Sequence, residues 1–207
     1  MSTVAEWVYI VDDEAAVRTA LSRLLRSAGL SCAAFASAAE FLEHLGDDAA
    51  GCLILDLAMP EIDGAALQDL LAKRRAALPI VFLTGHGDVA QGVSAMKKGA
   101  SDFLTKPIDE RLLLAAVHQA LAQGRTLRQA GHEIEELRRR VGTLTQRERE
   151  VLQGVIAGLL NKQIAARLGT AEKTIKIHRA RVMEKMAADS VAELVRMAEK
   201  AGVRALS

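Results

Sequence analysis

The chain has 207 residues, half of them hydrophobic and 26% charged, a balance that fits one or two folded domains with a real core. No apolar run approaches the roughly 18 residues of a membrane span. The start, MSTVAEWVYIVDD, has no basic stretch leading into an apolar one, so no secretory leader is expected and the cytoplasm is the expected compartment. The net charge of +1 conceals an asymmetry: residues 1–122 hold ten Lys/Arg against sixteen Asp/Glu, and residues 123–207 hold seventeen against ten. An acidic part joined to a basic part points to two tasks, with a polyanion as the expected partner of the second.

Along the first 120 residues, short apolar runs alternate with longer amphipathic ones. Strands are expected at WVYIV (7–11), CAAF (32–35), CLIL (52–55), IVFL (80–83) and DFLT (102–105). Between them lie helical patterns. Leu21, Leu24, Leu25 and Ala28 share one face, with Gly29 as the stop. Ser37 and Glu40 have capping-box spacing, and Asp63, Asp88 and Asp109 each precede a helical run. Five strand–helix units in strict alternation predict a parallel sheet covered on both faces. Cys32 and Cys52 are isolated in apolar segments and are expected to be small buried side chains, neither bridged nor metal-bound.

From 121 to 142 the pattern changes. Leu127, Ala130, Ile134, Leu137 and Val141 step by three and four residues, a heptad seam on a charged helix with Gly124 and Gly131 as weak points. Two readings stay open: a short coiled coil between two chains, or a helical linker folded back on its own domains. Residues 143–207 read as four helices. Thr145 and Ser190 have capping-box partners in Glu148 and Glu193, and Asn161 and Thr170 are expected to cap the two helices between them.

In a parallel sheet the carboxyl ends of the strands share one edge, where ligands bind. Asp12-Asp13, Asp56, Thr84 and Thr105-Lys106 all fall at such ends. Clustered carboxylates repel unless a cation intervenes. Mg²⁺ takes oxygen ligands and keeps a place for a phosphate oxygen, and lysine and a hydroxyl suit a phosphoryl group. No Ser/His or Cys/His nucleophile pair is evident. The chemistry expected is phosphoryl transfer onto a carboxylate.

Asp12-Asp13, LDLAMPEIDG, LTGHGD and DFLTKP together resemble the receiver domain of bacterial two-component response regulators. The resemblance implies a flavodoxin-like α/β fold with a five-stranded parallel sheet of order 2-1-3-4-5. It implies Asp56 as phospho-acceptor, and Mg²⁺ held by Asp12, Asp13, Asp56 and the backbone carbonyl of Ala58. It also implies Thr84 and Phe103 as a switch pair, Lys106 as phosphate partner, a cis bond before Pro107 and a sensor histidine kinase as phosphodonor. Phe103 stands where many members carry tyrosine. His86, close to Thr84, reads as a polar loop residue.

NKQIAARLGTAEKTIKIHRARVMEKM (161–186) reads as helix, short turn, helix, a pattern whose second helix enters the major groove of double-stranded DNA. Lys173, Lys176, Ile177, Ala180 and Glu184 lie on one stripe, suited to base edges and thymine methyls. Ile175, Val182 and Met186 should be core. Thr174, His178, Arg179 and Arg181 flank the stripe within reach of phosphates. No aromatic follows Phe103, which disfavours single-strand stacking. With LTQREREVL before it, the segment resembles the LuxR-type output domain of the NarL/FixJ group. That implies a DNA-reading unit from Asn161 to Ala180 that includes Lys162, with Lys176, Ile177 and Ala180 facing bases and the last helix as a dimerisation surface.

The reading is a non-enzymatic regulator of three parts: receiver domain 1–122, helical linker 123–142, and an all-α four-helix DNA-binding domain 143–207. Phosphorylation of Asp56 would promote a homodimer on DNA, with RNA polymerase a further partner. Two rivals are weighed: a Mg²⁺-dependent phosphohydrolase with Asp56 as nucleophile, and a helical module that binds protein or RNA.

Overall fold

The computed structural model describes residues 5–46, 49–74, 76, 78–85 and 89–206, with the backbone alone for 89–91. It forms two compact units, 1–128 and 129–207. In the first, strands and helices alternate: β1 (Trp7–Val11), α1 (Ala15–Ser27), β2 (Cys32–Phe35), α2 (Ala38–His44), β3 (Gly51–Asp56), α3 (Gly64–Lys73), β4 (Ile80–Thr84), α4 (Val89–Lys97), β5 (Asp102–Thr105) and α5 (Glu110–Gly142). All pairings are parallel and the order is β2-β1-β3-β4-β5, as the resemblance implies.

The alternation of side chains along each strand sorts the core into two layers. On one face Tyr9, Val11, Leu53, Leu55 and Phe82 pack with Phe41 of α2 and Leu67 and Leu71 of α3. On the other Val8, Ile10, Ile54, Val81 and Leu83 pack with Leu21 and Leu25 of α1 and Leu113 and Val117 of α5. Cys32 and Cys52 lie in this second layer, both buried and free. Each sits beside Val8 on an opposite flank of β1. Two strand spacings separate them, roughly 9–10 Å, beyond the span of a disulfide.

The helix starts follow their caps. Ser37 accepts the Glu40 N–H at 3.1 Å, Asp63 that of Ala66 at 2.7 Å, and Asp109 those of Arg111 and Leu112 at 2.9 and 3.1 Å. Asp88 and His86 lie outside the described residues. Gly124 is not a weak point: it is buried, and a Cβ there would lie 2.8 Å from the carbonyl oxygen of Gly51, so glycine permits α5 to approach the sheet. Gly131 is exposed with open space around it.

The second unit holds the end of α5, then α6 (Gln146–Ile156), α7 (Asn161–Leu168), α8 (Glu172–Met186) and α9 (Val191–Lys200). Leu152, Ile164, Ile175, Val182, Met186 and Leu194 make its core. Here the heptad seam divides. Leu137 is buried and Val141 packs against this core, whereas Leu127 and Ala130 are exposed. The C-terminal part of the seam therefore folds back on its own unit.

Thr145 and Ser190 cap α6 and α9 as expected. The other two caps differ from expectation. Leu160 holds the N-cap position of α7, and its N–H donates to the Gln163 side chain at 2.7 Å, while Asn161 lies inside the helix. Ala171, not Thr170, precedes α8, without a side-chain cap. The Asn161 side chain has a tertiary partner instead, described below.

Candidate functional site

Strand register builds the site. Val11 pairs with Leu55, so Asp12 follows β1 one step beyond that pair as Asp56 ends β3; Thr84 pairs with Thr105, so Lys106 follows β5 beside the end of β4. Four polar groups are thus brought to one edge by four apolar strands, which answers why a run as buried as Cys52–Leu55 ends in a charge.

Carboxylate oxygens of Asp12, Asp13 and Asp56 lie within 4.8 Å of one another. Lys106 Nζ donates to Asp12 Oδ2 at 3.0 Å, Asp56 Oδ2 at 3.2 Å and Glu14 Oε1 at 3.3 Å. Asp12 and Asp56 are buried and Asp13 is exposed. Asp12 uses its second oxygen as well: Oδ1 accepts the Glu14 N–H at 2.8 Å, which ties down the turn leading into α1, although α1 itself has no side-chain cap. Burial pushes the Asp56 carboxyl above its ordinary value; Lys106 and the Ala58 N–H pull it down, and the Asp12 charge adds to the rise. Burial would lower Lys106, but its hydrogen bonds and charge attraction to Asp12 and Asp56 outweigh that and hold it above its ordinary value.

Thr84 is fully buried, and its hydroxyl donates to the Gly85 carbonyl at 3.3 Å. Phe103 is half-buried against the first core layer, with Gly92 of α4 lying over its ring. The Lys106–Pro107 bond is cis.

Two residues at this edge escape sequence reasoning. Glu14 is the third partner of Lys106. Arg18, on α1, donates to the backbone carbonyls of Asp12 and Asp13 at 2.7 and 2.8 Å and so fixes the loop that carries both acids. The only signal for Arg18 is a cation a turn and a half along the helix that follows the acidic pair.

Three carboxylates against one ammonium leave an excess of negative charge when all are ionised. A hard divalent cation with oxygen ligands fits that donor set and that deficit.

In the second unit Lys173, Lys176, Ile177, Ala180, Arg181 and Glu184 of α8 are exposed, whereas Ile175, Val182 and Met186 are buried. Ile177 is 48% exposed. Lys162 of α7 is exposed as well. Lys176 pairs loosely with Glu172 at 3.6 Å. Thr174, His178 and Arg179 are half-buried, and His178 Nδ1 is buried with no partner among the described residues. Arg179 Nη1 donates to Asn161 Oδ1 at 3.0 Å. Below the helix, Lys185 Nζ reaches the buried Glu148 at 2.6 Å and the Thr143 carbonyl at 3.2 Å, and Arg140 donates to the Met186 carbonyl at 2.9 Å.

Comparison with known proteins gives two family matches. Residues 8–118 match the response regulator receiver domain, and residues 142–198 match the luxR family of bacterial regulatory proteins. Response regulator protein TmoT of Ectopseudomonas mendocina is 46% identical over 193 residues, covering 93% of this chain and 88% of that protein. Transcriptional regulatory protein FixJ of Bradyrhizobium diazoefficiens is 41% identical over 196 residues, covering 95% and 96%. Among solved structures, response regulator StyR superposes with a TM-score of 0.80 at 45% identity, covering 95% of this chain and all of that one.

Proposed function

Because the chain belongs to the response regulators that join a receiver domain to a luxR-family DNA-binding domain, we propose that it controls transcription through a phosphoryl group carried on Asp56. Membership favours a transcriptional regulator over both rival readings. The observation that carries the acceptor assignment is the Lys106 ammonium held between Asp12 and Asp56 beside Asp13.

An Asp56 oxygen attacks the phosphorus of a phosphohistidine on a partner sensor kinase. The P–O bond forms as the P–N bond breaks, and the imidazole nitrogen keeps the electron pair and takes up a proton. Asp12, Asp13 and Asp56, with the Ala58 carbonyl, would hold Mg²⁺, which when bound neutralises the charge on the phosphoryl oxygens. Lys106 moves from the carboxylates to a phosphoryl oxygen. The Thr84 hydroxyl leaves the Gly85 carbonyl and donates to the same group, and the Phe103 ring follows into the space it vacates. That biases the face around β4 and β5 toward a homodimer. Two DNA-binding domains then engage two half-sites at raised effective concentration, with RNA polymerase as the downstream partner.

In this reading residues 1–122 receive the signal, 123–142 transmit it and 143–207 bind DNA. Lys162, Thr174, His178, Arg179 and Arg181 meet the DNA backbone, and the stripe of Lys173, Lys176, Ile177 and Ala180 meets bases. Among the described residues no helix is long and apolar enough to cross a membrane, in keeping with action in the cytoplasm.

The test is Asp56→Asn with labelled acetyl phosphate or a phosphorylated kinase as donor. Label should vanish from the variant, and label that persists on the intact variant removes Asp56 from its role.

A further inference from the structure

The recognition helix presents five cations, and they are held differently. Lys185 is bound to the Glu148 carboxylate and Lys176 pairs with Glu172. Lys173 and Arg181 are exposed side chains with no carboxylate within salt-bridge distance among the described residues. Arg179 is different from all four. It is half-buried, and its guanidinium donates to a neutral acceptor, the side-chain carbonyl of Asn161 on the neighbouring helix α7.

That difference has physical content. A carboxylate would orient the guanidinium but cancel its charge and repel an approaching phosphate. An amide oxygen orients it and leaves the charge whole. Arginine carries five N–H donors, so a single bond to Asn161 leaves a fork of donors free. A side chain fixed before binding loses less rotamer freedom on binding. Arg179 lies one turn from the buried Ile175 and about 100° around the helix from Ala180 of the exposed stripe, so its half-buried stem sits at the margin between the core face and that stripe.

We propose that Arg179 is a pre-aimed contact to the DNA backbone phosphate and that Asn161 is its positioning residue, using a neutral side chain to steer a cation without neutralising it. The inference rests on the DNA-binding reading of α8 and adds to it a division of labour between α7 and α8. Asn161 is the first residue of α7, one step past the N-cap Leu160, so its side-chain oxygen is available to the arginine eighteen residues on.

The test uses the full chain, treated with acetyl phosphate and Mg²⁺, on a duplex that it enriches from a random-sequence library. Affinity is measured from 50 to 300 mM KCl, with the unfolding midpoint of every variant recorded. Arg179→Met should weaken binding by about tenfold at low salt and reduce the slope of log K against log salt by about one, the signature of one lost phosphate contact. Arg179→Lys, which keeps the charge, should keep most of the slope; a packing role would be lost in both. Asn161→Asp should leave the unfolding midpoint unchanged or raised, because it turns the bond into an ion pair, yet weaken DNA binding. In an Arg179→Met background the same Asp substitution should cost little. An unchanged salt slope in Arg179→Met, or an Asn161→Asp loss of equal size in both backgrounds, overturns the proposal while the wild-type chain still binds. Failure of the wild-type chain to bind any duplex overturns the DNA-binding reading and this inference with it. If Arg179→Met does not fold, Arg179→Lys and Asn161→Asp decide the matter alone.

Discussion

Gly64, the first residue of α3, packs so closely over Asp56 that a Cβ at position 64 would run into the Asp56 backbone carbonyl oxygen. The Gly64 N–H also donates to the Leu57 carbonyl at 3.0 Å. Absence of a side chain at Gly64 thus sets the height at which the acceptor strand meets its following helix. Gly64→Ala should destabilise the receiver unit by about 1–3 kcal/mol through overpacking. Urea unfolding followed by circular dichroism measures this, and a midpoint equal to wild type would show that the helix start shifts at no cost.

Mg²⁺ should raise the unfolding midpoint of the wild-type chain, since a ligand that binds only the folded state stabilises it. At ten times its dissociation constant the gain is about 1.4 kcal/mol. Asp13 is the exposed member of the acidic trio, so Asp13→Asn should fold normally and lose most of that gain. A full Mg²⁺ response in the variant would take Asp13 out of the metal shell.

Glu148 supplies the pH prediction. Its carboxylate accepts from Lys185 at 2.6 Å and from the Thr145 N–H at 2.9 Å, and the lysine first, then the backbone N–H, holds it down to about 2. A depressed carboxyl stabilises the fold above its ordinary value and loses that contribution as pH falls through its folded one. Glu148→Gln keeps an acceptor but removes the charge. The variant should be less stable than wild type near neutral pH, and the gap should narrow as pH drops from about 4.5 towards about 2. Denaturant midpoints at several pH values measure it; a gap constant with pH would mean that the ion pair contributes nothing through charge.

The second compact unit begins at Gln129, fourteen residues before Thr143, where the helical pattern of the sequence starts the DNA-binding domain. Leu137 is buried there, Arg140 caps the Met186 carbonyl and Lys200 pairs with Glu133 at 2.8 Å. A fragment starting at Gln129 should therefore be more stable than one starting at Thr143, by about 2–4 kcal/mol for the lost Leu137 burial alone. Equal thermal midpoints for the two fragments would show that this helical segment adds nothing.

Strand positions were legible because they are short apolar runs, four of the five closed by a polar residue, and Leu55 followed by Asp56 marks both the burial and the edge in two letters. Caps were legible where the partner is three residues away, as for Ser37, Asp63, Thr145 and Ser190. Asn161 failed as a cap because α7 starts one residue earlier, with Leu160 at the N-cap, and the Asn161 oxygen accepts from a guanidinium on the next helix. Thr170 failed because the chain needs Gly169 in the left-handed region and only enters α8 after Ala171. Gly124 read as a helix weakness because propensity counts the helix and not the strand it touches. At the acidic edge the acids and the lysine were visible as strand-end residues, while Arg18 was hidden, since its contacts are to backbone atoms that the sequence does not distinguish.

Cys52, beside Val8 on β3, gives the sheet a built-in clock. Burial pushes the Cys52 thiol up to about 12, so the reactive thiolate is almost absent while the strands are paired. An alkylating reagent can modify Cys52 only in molecules whose central strands have come apart. The rate of that modification counts rare openings of the receiver core one molecule at a time, under native conditions and without denaturant.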